Sequence, residues 1–329
     1  MPAGGESRAK HLIAVAQSVA QEDVDLLFDS KNIWHRPDDT SVKYAFGPTP
    51  EDFSSQSRFS FCVLPSQVGR DWLGSLIRLN CEAFVECFPE LDLGDLAPVT
   101  GKKPFPKHDL MVCLSTRSAY HLPVARKFVT SLRHRGLIGD SIASSVEMAV
   151  QEAFANSLIH GNLELDTGGH LSMDRFKELG EETERRLASA HYGARAMVLT
   201  ARRRKNGHIV ITINDQGNGF IPPDEKATPN IDRKDTTFGR GLPLIRSLCQ
   251  SVNFLRGGRT IELTFDDGQT ENATQDAAFL TDLERRLATS PKAELRLPQN
   301  ATILIADDTM LSREIIASYL RADGFTNLV

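Results

Sequence analysis

Cysteines are few in this chain of 329 residues: five occur, at positions 62, 81, 87, 113 and 249, and none forms a Cys-x-x-Cys pair. Their odd number and irregular spacing exclude a disulfide framework and a zinc site of the usual ligand spacing, so we expect buried, reduced thiols. Long apolar runs are also missing, since none reaches the roughly 18 residues of a membrane-spanning helix. The N-terminal stretch MPAGGESRAK lacks the hydrophobic segment of a signal peptide. We therefore expect a cytoplasmic protein without a membrane partner.

The chain has no large excess of either charge. Its 38 Lys and Arg residues and 43 Asp and Glu residues give a net charge of −5, so nucleic acid is not an expected partner. The basic run at 202–205 lies at a predicted hairpin tip without interleaved aromatic residues, and it indicates a solvated turn. The content of 40% hydrophobic and 25% charged residues is typical of a globular protein. At about 150 residues per domain, the length allows two or three domains.

The pattern of apolar and turn-forming residues divides the chain into four parts. These are an N-terminal region at 1–107, a mixed domain at 108–266, a linker at 267–300 and a final segment at 301–329. In the first part, residues 59–64 predict a strand, and the helical spacing of apolar residues at 67–88 predicts a helix that ends at Pro89. No chemistry can be assigned to this part. The Pro- and Lys-rich stretch at 100–109 indicates its boundary.

Strand and helix patterns alternate in the second part. Strands are predicted at 110–116, 194–204, 208–214, 252–256 and 259–265, and helices at 122–136, 140–160, 173–190 and 242–250. Asp140 is an N-cap residue type, Gly136 is a helix stop, and Lys205-Asn206-Gly207 is a strong hairpin turn. Residues 220–238 form a polar segment without periodicity, of a length that is typical of functional loops.

Three polar residues follow one another at intervals of four on the predicted helix VEMAVQEAFANSLIHG. Because a step of four residues rotates about 40° around a helix, Glu152, Asn156 and His160 lie along one side of it. A carboxylate can take a proton from a hydroxyl group, and an amide oxygen one turn later is a neutral ligand for a hard cation such as Mg²⁺. Taken alone, such a stripe is more often a solvated helix face.

Two glycine-containing motifs accompany this helix. Asp215-Gln-Gly217-Asn-Gly219 follows a predicted strand, so its carboxylate can accept a hydrogen bond from an exocyclic amine while the glycines let the backbone approach a ligand. Gly239-Arg240-Gly241-Leu242 precedes a predicted helix, whose free N–H groups favour phosphate, and its arginine adds positive charge. Each motif alone is equally typical of an ordinary turn.

Together, the order and separation of the three motifs resemble the GHKL nucleotide-binding fold shared by gyrase and histidine kinases. The pattern Glu152-x-x-x-Asn156-x-x-x-His160-Gly161 and the run GRGLPLIRSLCQSVNFLRGGRTIELTF are most similar to the branch of anti-sigma-factor serine/threonine kinases. The resemblance covers residues 108–266. It implies an α+β fold, in which a two-layer sandwich has a mixed, mostly antiparallel sheet covered by helices on one face. An additional N-terminal α/β region would precede this sandwich.

The resemblance implies a role for each matching residue. Glu152 would be the general base on a Ser or Thr hydroxyl of a partner protein, Asn156 would ligate the Mg²⁺ of bound ATP, and Asp215 would bind the adenine amine. The pocket would be shaped by His160, Gly217 and Gly219 and covered by residues 220–238, and phosphate would be held by Gly239, Arg240 and Gly241, with Leu242 also among the nucleotide-binding residues. Phosphoryl transfer needs mostly positioning and charge neutralisation, for which this set is sufficient.

The final segment resembles the opening of a response-regulator receiver domain. The strand ILIA precedes Asp307-Asp308, and an amphipathic helix is predicted from Leu311. In receivers, such an acid pair helps to hold Mg²⁺ beside a phosphoacceptor Asp on a later strand. Residues 301–329 supply one predicted strand and one predicted helix, too few for a doubly wound sheet. We therefore expect the truncated start of a receiver, without receiver activity.

The leading hypothesis is an ATP-dependent serine/threonine kinase in a bacterial partner-switching or two-component pathway. Its expected substrate is a small protein of the anti-sigma-antagonist type, with a sigma factor as a further partner, and related kinases commonly form homodimers. Two alternatives stay open, a non-catalytic ATP-binding module and the catalytic domain of a histidine kinase. The presence of Glu152 favours the enzyme, whereas residues 108–140 predict no helical hairpin with a phosphorylatable His. The charged insert at 163–192 is longer than the family pattern and leaves the partner's identity open.

Overall fold

The structure, a computed structural model, describes residues 11–24, 42–53, 58–88, 109–166, 173–219 and 241–266, together with residues 302–303 and 327–328. The chain divides into two compact units, Met1–Ala273 and Thr274–Val329. Within these described ranges, no helix has the length and apolar character needed to cross a lipid bilayer.

The first unit contains nine described strands and seven α-helices with described bounds, and residues 21–24 are also helical. The strands are β1 (His11–Ala16), β2 (Val42–Gly47), β3 (Arg58–Leu64), β4 (Asn80–Glu86), β5 (Leu110–Ser115), β6 (Ala196–Arg203), β7 (Ile209–Asn214), β8 (Ser251–Leu255) and β9 (Thr260–Phe265). The helices are α1 (Arg70–Arg78), α2 (Thr116–His121), α3 (Val124–His134), α4 (Asp140–Asn156), α5 (Met173–Ala188), α6 (Ala190–Gly193) and α7 (Gly241–Leu248). A π-helical turn, Ser157–Asn162, continues α4, and short 3-10 turns lie at Pro50–Asp52 and Arg256–Gly258.

All nine strands form one sheet, in the order β2-β1-β3-β4-β5-β6-β7-β9-β8. Strands β1 to β4 run parallel to one another, and β4 also pairs in parallel with β5, where Val85 lies opposite Cys113. From β5 onward every pairing is antiparallel, beginning with Ser115 opposite Ala196. We call β1–β4 the parallel half and β5–β9 the antiparallel half. The sheet is therefore continuous across the boundary predicted at 107–108.

One face of the sheet carries the main core. Helices α1, α3, α4 and α7 contribute buried apolar residues to it, including Leu76, Phe128, Val150 and Ile245. The same cluster takes up alternate residues of the strands, among them Phe84 at the centre of β4. An apolar stripe on each helix thus packs on the apolar face of the sheet, as amphipathic helices require.

The opposite face differs between the two halves. Across β1, β3, β4 and β5 it is apolar, and the second buried cluster lies there, with Val15, Val63, Val85 and Cys113 all completely buried. Further along, on β6, β7 and β9, it carries a ladder of hydroxyl and amide side chains. The hydroxyl oxygens of Thr200 and Thr212 lie 2.6 Å apart, and the Thr260 hydroxyl donates to Asn214 Oδ1 at 2.7 Å. The sandwich was expected to have helices on one face of its sheet, and the helices of the main core do cover one face of the antiparallel half.

The elements predicted for 108–266 are largely confirmed, and so is the strand at 59–64. The hairpin turn at Lys205-Asn206-Gly207 joins β6 to β7, with Gly207 at φ +89°. The helix predicted over 67–88 is wrong in its second half, because α1 ends at Arg78 and residues 80–86 form strand β4. Both faces of most of β4 are buried, so its apolar residues do not alternate cleanly and can be mistaken for part of a helix.

Three smaller corrections concern the helices. Helix α2 was not predicted, although Ser115 caps it by accepting a hydrogen bond from the Ser118 N–H. Asp140 is the first residue of α4 rather than its N-cap, which is Gly139, and its carboxylate accepts a bond of 3.0 Å from Arg133 Nε. The α-helix predicted to reach His160 ends at Asn156, where the π-helical turn begins.

The second unit is described only in two short parallel strands, β10 (Thr302–Ile303) and β11 (Asn327–Leu328). The first lies within the predicted strand, and the second adds a strand that was not expected at the end of the chain. The predicted acid pair Asp307-Asp308, the helix from Leu311 and the linker at 267–300 lie outside the described residues. The receiver resemblance of this segment stays a prediction.

The cysteines are all free thiols, as expected. Cys62, Cys81 and Cys113 are buried, while Cys87 and Cys249 are half-buried. Burial raises the pKa of Cys87 to about 11 and that of Cys249 to about 12. Thiols with such pKa values are protonated and unreactive near neutral pH.

Candidate functional site

The polar side of α4 ends in a pair of interacting side chains. Asn156 Nδ2 donates a hydrogen bond of 3.3 Å to Glu152 Oε1, and both residues are half-buried. On its other sides the helix buries Val146, Ala149 and Val150 in the main core, which fixes the direction of the polar side. Because Asn156 Nδ2 is used by the carboxylate, the amide oxygen Oδ1 is the atom suited to a hard cation.

The start of α7 lies directly against this pair. A Cβ atom placed on Gly241, the first residue of α7, would lie only 2.8 Å from Glu152 Cδ, which is closer than real Cβ contacts. The lack of a side chain on Gly241 therefore lets the backbone of α7 lie against the Glu152 carboxylate in its observed position. The first N–H groups of a helix attract anions. The third sequence motif thus meets the first, and it brings a phosphate-favouring helix end beside Glu152 and Asn156.

Asp215 follows β7 and meets the π-helical turn that continues α4. It is only 4% exposed. A Cβ atom placed on Gly161 would lie 2.6–2.7 Å from the carboxyl carbon and both carboxyl oxygens of Asp215. The carboxylate therefore packs flat against a glycine backbone, and the second sequence motif joins the first. Turns of this π-helical kind are frequent at functional sites.

Burial raises the pKa of Asp215 from 3.8 to about 6. Two hydrogen bonds oppose this effect, one from the Gly217 N–H to Oδ1 at 3.0 Å and one from the Ser157 side chain. The positive charges of Arg259 and Arg195 lower the pKa further but do not cancel the effect of burial. Asp215 is thus a buried acceptor at the floor of the site, able to bind a donor such as an amine.

The glycines of the second motif are needed for two different reasons. A Cβ atom placed on Gly217 would lie 2.8 Å from the Cα atom of Gly161, so the two backbones are in direct contact. Gly219 has a φ of +84°, in the left-handed region that favours glycine, and it packs against the carbonyl group of Gly257. Larger residues at either position would displace the loop that carries Asp215.

The remaining predicted site residues are less closely connected. His160 is exposed, and its Nδ1 lies 3.0 Å from the carbonyl oxygen of Leu165. Leu242 is half-buried in the first turn of α7. Gly239, Arg240 and residues 220–238 lie outside the described residues. The roles predicted for all of these residues therefore stay predictions.

Two residues of the π-helical turn, Gly161 and Asn162, support the site although their residue types predict no role for them. Gly161 supports the Asp215 carboxylate and the Gly217 backbone, and Asn162 is completely buried with three side-chain hydrogen bonds. Both residues directly follow the polar stripe that ends at His160, and this position is the only feature of the sequence that could have indicated a role for them. Residue type alone does not reveal that a glycine or an asparagine meets a loop more than fifty positions away.

These features fit an adenine nucleotide. A buried acceptor at one end suits an exocyclic amine, while a helix N-terminus at the other end suits phosphate. Glycines at 161, 217 and 241 let the Asp215 carboxylate, the Gly161 backbone and the Glu152 side chain lie directly against the main chain, which brings the three motifs together. In the part of the chain that the structure describes, no group of three His, Cys, Asp or Glu residues could hold a metal ion. A cation at this site would depend on Asn156 and on the oxygens of the phosphates themselves.

Comparison with known protein families gives a match for residues 114–265, to the histidine kinase-like ATPase domain. The match begins at the end of β5 and ends with β9, so it covers the helices and strands that carry Glu152, Asn156, Asp215 and Gly241. It leaves out the parallel half of the sheet. No curated protein matches the chain. Residues 114–265 are therefore an ATP-binding domain of the histidine kinase-like ATPase type, and the parallel half extends its sheet.

Proposed function

We propose that the protein is an ATP-dependent serine/threonine kinase of the anti-sigma-factor type, which phosphorylates a partner protein. The observation that carries this proposal is the meeting of Glu152, Asn156 and Gly241. A carboxylate held by the neighbouring amide lies directly beside a helix N-terminus that favours phosphate. A site built only to bind a nucleotide has no need for a carboxylate there, since its negative charge would repel the phosphates.

Each described residue of the site has a separate role in such a reaction. Asp215 accepts a hydrogen bond from the adenine amine, and the Gly161 and Gly217 backbones shape the floor beside it. Asn156 Oδ1 ligates Mg²⁺, while the N–H groups at the start of α7 bind phosphate oxygens. Glu152 takes the proton from the attacking hydroxyl group. When bound, Mg-ATP supplies the phosphoryl group and neutralises part of its charge.

The partner that suits this reading is a small protein of the anti-sigma-antagonist type, with a sigma factor as a second partner and a homodimer as the assembly. The insert between the π-helical turn and β6 bears on this choice. Helix α5 in that insert carries an exposed charged surface that includes Lys177, Glu181 and Arg185. A surface of this kind gives the protein a contact region that a shorter loop would not provide.

Two alternatives predict different behaviour. A non-catalytic module would bind ATP and hold its partner, and it would not need Glu152. A histidine kinase would need a helical hairpin with a phosphorylatable His just upstream of the ATP-binding domain. In the described residues upstream of 114, the longest α-helix is α1, which is followed directly by strand β4 and not by a second helix. The serine/threonine reading is therefore favoured over the histidine kinase.

The decisive experiment compares the wild type with Glu152→Gln. The amide keeps the size of the side chain but cannot act as a base, so phosphate transfer from labelled ATP to a captured partner should fall about a hundredfold or more. Binding of ATP, measured by calorimetry, should stay within about threefold of the wild type. Unchanged transfer by the variant would remove Glu152 from the mechanism, and equal absence of transfer in the wild type would favour the binding module.

Asn156→Ala serves as the matched variant on the same side of α4. It removes the cation ligand and also frees the Glu152 carboxylate, so Mg-ATP binding itself should weaken by about tenfold or more. Binding measured without Mg²⁺ should change less. If the two variants behaved alike in both assays, base and metal ligand would not be separate roles, and the division of work given above would be wrong.

A further inference from the structure

Asn162 is a completely buried amide at the end of the π-helical turn. Its Nδ2 atom donates to Thr116 Oγ1 at 2.8 Å and to the carbonyl oxygen of Ala196 at 3.1 Å. Its Oδ1 atom accepts a hydrogen bond of 2.6 Å from the backbone N–H of Gln216. Both amide protons and the oxygen are thus used, as burial of a polar group requires, and the three bonds reach three different segments of the chain.

These bonds connect the loop that carries Asp215 to the rigid part of the sheet. Gln216 is the residue after Asp215, and its own side-chain Oε1 accepts a bond of 2.6 Å from the Ala196 N–H. Asn162 and Gln216 therefore both bond to Ala196, the first residue of β6. With the Gln216 backbone fixed from one side and Gly161 packed on the carboxylate from the other, Asp215 has one available orientation.

Two arginines donate hydrogen bonds to the backbone at the end of the π-helical turn that carries Asn162. Arg195 Nη1 donates to the backbone carbonyl of Asn162 and to Glu164 Oε1, at 2.8 Å each. Arg186 donates to the carbonyl oxygen of Glu164 at 2.7 Å. Both guanidinium groups lie over the ring of Tyr192, at 5.0 and 4.9 Å from its centre. Arg186 of the insert and Arg195 before β6 thus hold the turn in place beside the Asp215 loop.

We propose that Asn162 is a positioning residue for recognition of the base, acting through Gln216 on the Asp215 carboxylate. It touches neither the base nor the phosphates in this assignment, and its contribution is to fix where the acceptor points. The inference rests on the proposed nucleotide site. It adds that the adenine preference depends on a residue outside the three sequence motifs, and that Arg195, which directly precedes β6, supports this preference by binding the carbonyl group of Asn162.

The test measures adenine preference rather than activity. Calorimetry would compare ADP with purine riboside 5′-diphosphate, which has the same phosphates and sugar but lacks the exocyclic amine. The wild type should bind ADP about tenfold more tightly, since one hydrogen bond to a buried carboxylate is at stake. In Asn162→Ala this preference should fall to within about threefold, through weaker ADP binding, while the affinity for the analogue stays nearly unchanged.

A matched control separates positioning from loss of stability. Ser131→Ala also removes a completely buried side-chain hydrogen bond, from the Ser131 hydroxyl to the Leu76 carbonyl at 2.5 Å, but in a part of the core remote in sequence from the three motifs. It should lower the melting temperature and leave the adenine preference at the wild-type value. If Asn162→Ala does not fold, Thr116→Val provides the same test, because it removes one acceptor of the Asn162 amide.

The outcomes distinguish this inference from the function it rests on. A wild type that binds neither nucleotide would overturn the nucleotide site itself. A wild type with adenine preference, together with an Asn162→Ala protein that keeps the same preference, would overturn the positioning role alone. Equal weakening of both nucleotides would also overturn it, because it would mean a general loss of structure. Only a selective loss of ADP affinity agrees with the proposal.

Discussion

The two halves of the nine-stranded sheet are buried in different ways. At the centre of the parallel half, strand β4 buries side chains on both faces, Phe84 on one and Val85 on the other. In the antiparallel half the second face is apolar on β5 but carries Thr200, Thr212 and Asn214 of β6 and β7 in a hydrogen-bonded ladder. Parallel strands are usually buried on both faces of a sheet, whereas antiparallel strands often have one apolar and one polar face.

The difference decides how well each half can be predicted. On β7 apolar and polar residues alternate, as in IVITIN, and the strand was predicted within one residue. On β4 the run AFVE is buried on both faces, so the period-two signal is lost and the residues were assigned to a helix. Tertiary contacts with β3 and β5 decide the conformation of β4, and no local pattern reports them.

The halves meet at a buried carboxylate. Glu86, at the end of β4, is 1% exposed and accepts four hydrogen bonds. Two come from the N–H and hydroxyl of Ser115 at 2.8 and 3.0 Å, one from the Ser118 hydroxyl at 2.8 Å and one from the Gln67 N–H at 3.0 Å. Three of these donors belong to the antiparallel half and α2, and one to the loop after β3. Glu86 therefore connects the ATP-binding domain to the parallel half.

The largest expected effect on stability is at Glu86, where the two halves of the sheet meet. Glu86→Ala leaves three or four buried donors without an acceptor, so the free energy of unfolding should fall by about 4 kcal/mol. Chemical denaturation monitored by circular dichroism would measure it. Because β4 and β5 are paired, a single cooperative transition should shift, and Glu86→Gln, which keeps one acceptor oxygen, should lose less. Two separate transitions in the wild type would mean that the halves fold independently, contrary to a continuous sheet.

Only part of the arrangement at the candidate site could be anticipated from the sequence. Spacing along one helix placed Glu152 and Asn156 together, and the resemblance linked them to Asp215 and Gly241, all of which the structure brings near α4 and its π-helical turn. The supporting residues could not be predicted. Asn162 and Ala196 act through backbone groups of distant loops, and such bonds depend on the folded path of the chain, not on residue type.

A smaller effect should distinguish the second faces of the two halves. Val85→Thr puts a hydroxyl group into the apolar cluster beside Val63 and Cys113, its neighbours in register, and should cost about 2 kcal/mol of unfolding free energy. Thr212→Val is the matched change in the antiparallel half. It removes one member of a half-buried hydroxyl pair and should cost about 0.5 kcal/mol. Equal costs for the two variants would contradict the difference in burial between the halves.

A third effect, smaller than that of Val85→Thr, concerns the buried carboxylate of Asp215 at the candidate site. The pKa of Asp215 rises from 3.8 to about 6 on folding, so its ionised form is disfavoured in the folded state. The folded protein therefore loses stability as the pH rises from about 4 through 6, where Asp215 ionises against the effect of burial. Asp215→Asn, which has no charge to bury, should be more stable than the wild type by about 1 kcal/mol at pH 8.

The pH dependence provides the control for this variant. Below pH 4 Asp215 is protonated in both states, so the gain from Asp215→Asn should vanish there, whereas binding of ADP should be weakened at pH 8 because the amide is a poorer acceptor than the carboxylate. Thermal unfolding at pH 4 and pH 8, with ADP calorimetry at pH 8, measures both. A variant less stable than the wild type at pH 8 would mean that the bonds from Gly217 and Ser157 outweigh burial, and that this carboxylate stabilises the fold as well as the site.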